Sequence, residues 1–105
     1  MPNFIISYHG SVMPKTPEDG TAHMAKWQQW TRDLGAAAVN PGTPLGKAKL
    51  VSSKGVTDEE AGKGMSGYTV VEAADMDAAV EMAKGCPYVD FDTAWVRVAQ
   101  MMKMG

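Results

Sequence analysis

The sequence predicts an α+β fold: an antiparallel sheet with two helices on one of its faces. Three observations carry the prediction. Residues 18 to 34 and Met76 to Lys84 have apolar residues at helical spacing. Asn3 to His9, Ala36 to Asn40, Tyr68 to Ala73 and Thr93 to Gln100 read as strands. These stretches alternate as strand, helix, strand, an extra hairpin arm, strand, helix, strand, which is the split βαβ order. A chain of 105 residues is one domain, spanning 1–105.

Each element has its own local reason. In NFIISYH the β-branched and aromatic residues give a strand, with Phe4, Ile6 and Tyr8 on one face and Ile5, Ser7 and His9 on the other. Residues 10 to 17 form a connector, broken by Pro14 and Pro17. The first helix starts near Pro17 or Glu18, where Glu18 and Asp19 suit its positive end, and Gly35 ends it. Asn40-Pro41-Gly42-Thr43-Pro44 is a rigid loop. Lys47 to Ser53 suits an exposed strand, Lys54-Gly55 a turn, and residues 58 to 67 a glycine-rich loop. Asp75 caps the second helix, whose apolar set is Met76, Ala79, Val80 and Ala83, and Gly85 and Pro87 stop it. The stretch CPYVDFD is irregular. In the last strand Ala94, Val96 and Val98 face one side, and Trp95, Arg97 and Ala99 the other. A Met-rich tail, MMKMG, follows it.

The totals exclude several function classes. Ten basic against twelve acidic residues, with no basic stripe, argue against nucleic acid as a partner. No apolar run is long enough to span a membrane, and the N-terminus lacks the pattern of a signal peptide. A lone cysteine, Cys86, allows no internal disulfide and fits a reducing, cytoplasmic setting. Two histidines and one cysteine without close spacing make no zinc site, and no cofactor is expected.

The chemistry centres on the first helix. At about 100° per residue, His23, Trp27, Trp30 and Leu34 fall within an arc of roughly 60°. A core helix would carry Leu or Ile where His23 stands. Two tryptophans beside an imidazole make a wall suited to a flat, partly polar ligand. His9 ends the first strand, where site residues often sit. The sheet face carrying Ile5, His9, Trp95 and Arg97 is too mixed for a monomer core and too apolar for open water. A second copy stacked on it would give a homodimeric α/β barrel.

Four segments, HMAKWQQWTRDLGAA, NPGTPLG, SGYTVVEAADMDAAVEMAKGCP and WVRVAQMM, resemble the YCII-related domain family, including its branch named for a DGPF motif. The resemblance runs from the first strand to residue 102. It implies a ferredoxin-like fold assembled as a dimeric α/β barrel, with a histidine of the first helix and an aspartate as the suspected active-site pair. His23 matches that histidine. The shorter branch places its aspartate where this chain has Gly46. The DGPF branch places it at the start of its motif, here Asp58 in VTDEEAGKG, which lacks the Gly-Pro-Phe continuation.

The resulting expectation is a cofactor-free lyase or isomerase acting on a small cyclic or aromatic-derived metabolite, with His23 as general acid and base. Asp58 is the carried-over partner, and Asp90 and Asp92 are the other carboxylates open to the role. Asp33 is excluded, because it lies about 15 Å further along the same helix at 1.5 Å per residue. His9, Trp27, Tyr68 and Arg97 are expected around the substrate. The same dimer acting as a non-catalytic binding module for a small ligand is the alternative. A remote third reading takes Pro2 as the base of a tautomerase, because MPNFII resembles the start of such enzymes. The features that separate the first two readings are a cavity and a carboxylate in contact with His23.

Overall fold

The computed structural model describes residues 1–10, 16–59 and 64–102. Much of the connector expected over residues 10 to 17, including Pro14, lies outside these residues. So do the middle of the 58–67 loop and the end of the Met-rich tail. The elements run β1 (Asn3–Gly10), α1 (Pro17–Leu34), a 3-10 turn (Gly35–Ala37), β2 (Ala38–Asn40), β3 (Lys49–Ser52), β4 (Gly55–Asp58), β5 (Met65–Glu72), α2 (Met76–Lys84), a 3-10 turn (Pro87–Asp90) and β6 (Ala94–Gln100). The main sheet has the order β2-β5-β1-β6, antiparallel throughout, and β3 and β4 form a separate hairpin. This is the small α+β architecture of an antiparallel sheet with two helices, consistent with a ferredoxin-like fold.

The alternation of β1 sets the two faces. Phe4, Ile6 and Tyr8 are buried and meet Val71, Trp30, Ala79, Ala83, Cys86 and Tyr88 in one core. Ala79 and Ala83 let α2 lie close to the sheet. Trp30 ties the helices together, its indole N–H donating to the Met82 carbonyl at 3.0 Å. Thr16 caps α1 by accepting from the Asp19 amide at 3.1 Å, and Asp75 caps α2 by accepting from the Ala78 amide at 2.9 Å.

Three boundaries differ from the sequence reading. Residues Gly35–Ala37 wind on as a 3-10 turn, because the Gly35 amide still reaches the Arg32 and Thr31 carbonyls; β2 therefore starts at Ala38 rather than Ala36. Residues Gly55–Asp58 are a strand, held by cross-strand pairs from Lys49–Asp58 to Ser52–Gly55. β5 starts at Met65 rather than Tyr68, because the eight residues of β1 offer it pairing up to His9. A register shift between Tyr8 and His9 absorbs the offset, and Gly67 lies opposite Tyr8, where its missing side chain leaves room for the ring.

The molecule is 19 Å across its narrowest axis, the thickness of one sheet and one helix layer. The opposite sheet face carries the rows Tyr68–Ser7–Arg97 and His9–Trp95.

Candidate functional site

The histidine of α1 opens onto a cleft of about 320 Å³ between α1, the end of β1, β5 and the proline loop. Helical spacing delivers His23 and Trp27 to the same wall, four residues apart. Tyr8 comes from the core face of β1 and Tyr88 from the turn after α2. The loop Pro41–Pro44 forms the far wall. It is fastened to β5 by a bridge between Pro44 and Gly67 and by the Leu45 amide, which donates to the Ser66 carbonyl at 2.8 Å. Gly42 has φ +77°, and its amide closes a turn by donating to Asn40 Oδ1 at 2.9 Å.

The walls are aromatic, and the hydroxyls of Tyr8, Ser66, Thr69 and Tyr88 are paired. Tyr8 meets Trp27 edge-on with centroids 5.1 Å apart, and Tyr88 at 5.4 Å. The Tyr8 hydroxyl lies 2.5 Å from Thr69 Oγ1, which donates to the Pro41 carbonyl at 3.1 Å. Thr69 has one proton and spends it on Pro41, so Tyr8 donates to Thr69. Ser66 Oγ donates to the Tyr8 carbonyl at 3.1 Å and lies 2.7 Å from the Tyr88 hydroxyl. Burial pushes the Tyr8 phenol well above its ordinary value, so it stays protonated.

His23 is half-buried. Its Nε2 accepts a hydrogen bond from the Trp27 indole N–H at 2.8 Å, and Phe91 meets its ring edge-on at 5.1 Å. Burial holds its pKa below 6.5; the charge of Asp90 acts the other way, and that of Lys26 adds to the lowering. These surroundings favour the neutral imidazole over the imidazolium. Among the described residues, no carboxylate lines the cleft.

The other expected site residues are distributed over the molecule. Trp27 borders the cleft, and Tyr68, although its register puts it on the opposite sheet face, reaches the cleft's edge where its backbone carbonyl lies against Gly42. His9 and Arg97 are on the opposite sheet face: the His9 ring stacks on Trp95 at 4.3 Å and 8°, with Nε2 2.9 Å from Ser7 Oγ. Asp58 is not brought to His23 within the chain. β3–β4 pairing sets it across from Lys49, whose ammonium it holds at 2.8 Å, beside a different hollow of about 650 Å³ lined also by Lys47 and Glu59. The carboxylate that acts on His23 is Asp90, paired to Lys26 at 3.4 Å; Asp92 is exposed in the turn before β6. Pro2 sits at the other end of β1, its carbonyl accepting from the Ala73 amide at 3.2 Å. At 3.3 Å per residue it lies about 20 Å from Tyr8 and the cleft. Among the described residues no three His, Cys, Asp or Glu side chains gather as a metal site would need. No described helix is long and apolar enough to cross a membrane.

The chain shares its fold with a solved dehydrochlorinase. That structure is 5-chloro-2-hydroxyhydroquinone dehydrochlorinase, TftG, from Burkholderia phenoliruptrix AC1100, in complex with 2,5-dihydroxybenzoquinone. The match covers 98% of this chain and 95% of that one, with a TM-score of 0.60 and 18% sequence identity. At that identity the likeness speaks for the fold alone. No protein-family model matches the chain, and no curated protein does.

The sequence reading missed Tyr8, Ser66, Thr69 and Tyr88 as cleft residues. For Tyr8 and Thr69 a signal was present. Each carries a hydroxyl onto the core face of a strand, where it must find a partner. Ser66 and Tyr88 stand in stretches without periodicity, and only tertiary structure brings them together.

Proposed function

We propose that this protein is a YCII-like enzyme of the proton-transfer type, a lyase or isomerase that takes a small, flat, oxygenated ring into the cleft beside His23. One observation carries the reading: the His23 imidazole, held by the Trp27 indole, stands in a cleft walled by Tyr8, Trp27 and Tyr88, with polar groups confined to a few fixed positions. Such walls take a planar ring by stacking and edge contacts. His23 is the polar group placed to hydrogen-bond the ring oxygen on which charge develops as a ring proton exchanges with solvent. The fold likeness to a dehydrochlorinase whose complex holds a dihydroxybenzoquinone supports this choice of ligand class. A second copy covering the face of Ile5, Trp95 and Arg97 completes the proposed assembly. Trp95 is 54% exposed in the single chain, a large apolar surface to leave in water.

A second reading, a binding module without catalysis, is favoured by one fact: no carboxylate lines the cleft among the described residues. Calorimetric titration with 2,5-dihydroxybenzoquinone and with hydroquinone, alongside mass-spectrometric detection of ring C–H exchange in heavy water, separates the two. Binding with exchange, both reduced at least tenfold in His23→Ala, supports the enzyme. Binding without exchange supports the module. No binding of any oxygenated ring contradicts both.

A further inference from the structure

We infer that Trp27 is a positioning residue for His23: its indole N–H fixes the imidazole as the Nδ1–H tautomer, so that His23 meets a ligand as a hydrogen-bond donor. Heavy-atom positions leave a ring tautomer open where the partner, such as a hydroxyl or water, can both give and accept a hydrogen bond. Indole does not. It has one N–H and no acceptor. The 2.8 Å contact between Trp27 Nε1 and His23 Nε2 therefore requires a lone pair on Nε2, and the ring's only proton is then on Nδ1. The free histidine side chain prefers the other tautomer, so the fold selects the less common one.

The indole is itself held in place. Trp27 meets Tyr8 edge-on at 5.1 Å and Trp30 at 5.5 Å, and the imidazole is braced by Phe91 at 5.1 Å. One turn of helix sets the spacing between the two residues, and these neighbours set the ring planes, 85° apart. Nδ1 has no hydrogen-bond partner among the described residues, so it is the nitrogen left for a ligand.

The same bond opposes protonation, since a proton on Nε2 would face the indole N–H. The charges near the ring are Lys26 on α1 and Asp90 in the turn after α2, and they pair with each other at 3.4 Å. A neutral Nδ1–H surrenders its proton only by forming an imidazolate. Its role is therefore to stabilise negative charge developing on a ring oxygen. While the indole bond lasts, Nε2 is not available as a base.

This inference deepens the proposed function and rests on it for the ligand, but the tautomer is measured without any ligand. Long-range ¹H–¹⁵N spectra of the labelled full chain should show His23 with a pyrrole-like Nδ1 and a pyridine-like Nε2. In Trp27→Phe, the Nε2 resonance should move toward the pyrrole-like range and the His23 pKa should rise. A pyrrole-like Nε2 in the wild-type chain would overturn the inference, as would a Trp27→Phe spectrum with an unchanged tautomer. If Trp27→Phe does not fold, ¹⁵N–¹⁵N coupling across the hydrogen bond in the wild-type chain decides alone: its presence supports the assignment and its absence refutes it. Loss of ring binding with the tautomer intact would count against the proposed function and not against this assignment.

Discussion

The hydroxyl of Tyr8 and Oγ1 of Thr69 lie 2.5 Å apart at the floor of the cleft, and Thr69 passes the chain of hydrogen bonds to the Pro41 carbonyl. A strand-to-strand contact in the core thereby anchors the loop that walls the site. Thr69→Val leaves the Tyr8 hydroxyl without its acceptor in a buried setting, at a cost of about 1–3 kcal/mol. The melting temperature should fall by about 4–8 °C for each kcal/mol. Pairing the change with Tyr8→Phe removes the stranded hydroxyl, so the double variant should lose less stability than the two single losses combined. Full additivity in a thermal-denaturation cycle would show that the two hydroxyls are not coupled.

The pH dependence follows from His23. Its folded pKa is held below the unfolded value of about 6.5, so the folded state binds this proton less readily. The stability it supports is fully present above about pH 6.5 and is lost as pH falls through the folded pKa. In denaturant titrations across that window, the wild-type chain should lose stability relative to His23→Gln on the acid side only. Asp90→Asn removes a charge that favours imidazolium and should lower the His23 pKa further, read by NMR titration.

Gly42 and Gly46 make a controlled pair in one loop. A Cβ on Gly42 would collide with the Tyr68 carbonyl oxygen at a φ of +77°, whereas a Cβ on Gly46 would meet nothing within 4 Å. Gly42→Ala should destabilise by more than about 1 kcal/mol and weaken ring binding. Gly46→Ala should be neutral or stabilise by about 0.4–1 kcal/mol, through the unfolded chain. Equal effects of the two substitutions would show that the loop does not depend on its backbone geometry at Gly42.

Cys86 should be inert while the chain is folded. It is 1% exposed, and burial pushes its thiol up to about 11, so little thiolate exists at pH 8. Alkylation followed by mass spectrometry should be slow in buffer and complete in denaturant. Rapid modification of the native protein would contradict this account of its surroundings.

Residues whose local signals agree with their tertiary setting were legible in the sequence. Met76–Lys84 is bounded as expected, because Asp75, Gly85 and Pro87 act within a few residues of the helix they limit. The stripe of α1 was legible for the same reason: His23, Trp27, Trp30 and Leu34 all turn inward, and Trp30 is the buried one. Met65–Gly67 was not, because it has no β-branched residue and owes its strand conformation to β1. Asp58 shows the limit of reasoning by motif position. The approach of its carboxylate to Lys49 was fixed by a hairpin whose second strand the sequence had not declared. Alternation assigned Tyr8 to the core, yet it also borders the cleft, because the core face of β1 runs out under α1 at that end.

The central claim is that the His23 cleft, and not the outer sheet face or the hollow beside Asp58, is the site. A crystal structure of the chain soaked with hydroquinone or 2,5-dihydroxybenzoquinone tests it most directly. The expected result is a ring in the cleft, against the aromatic wall of Trp27 and Tyr88, with an oxygen about 3 Å from His23 Nδ1. A ring stacked on Trp95 or seated near Asp58, with the His23 cleft filled only by water, would contradict it.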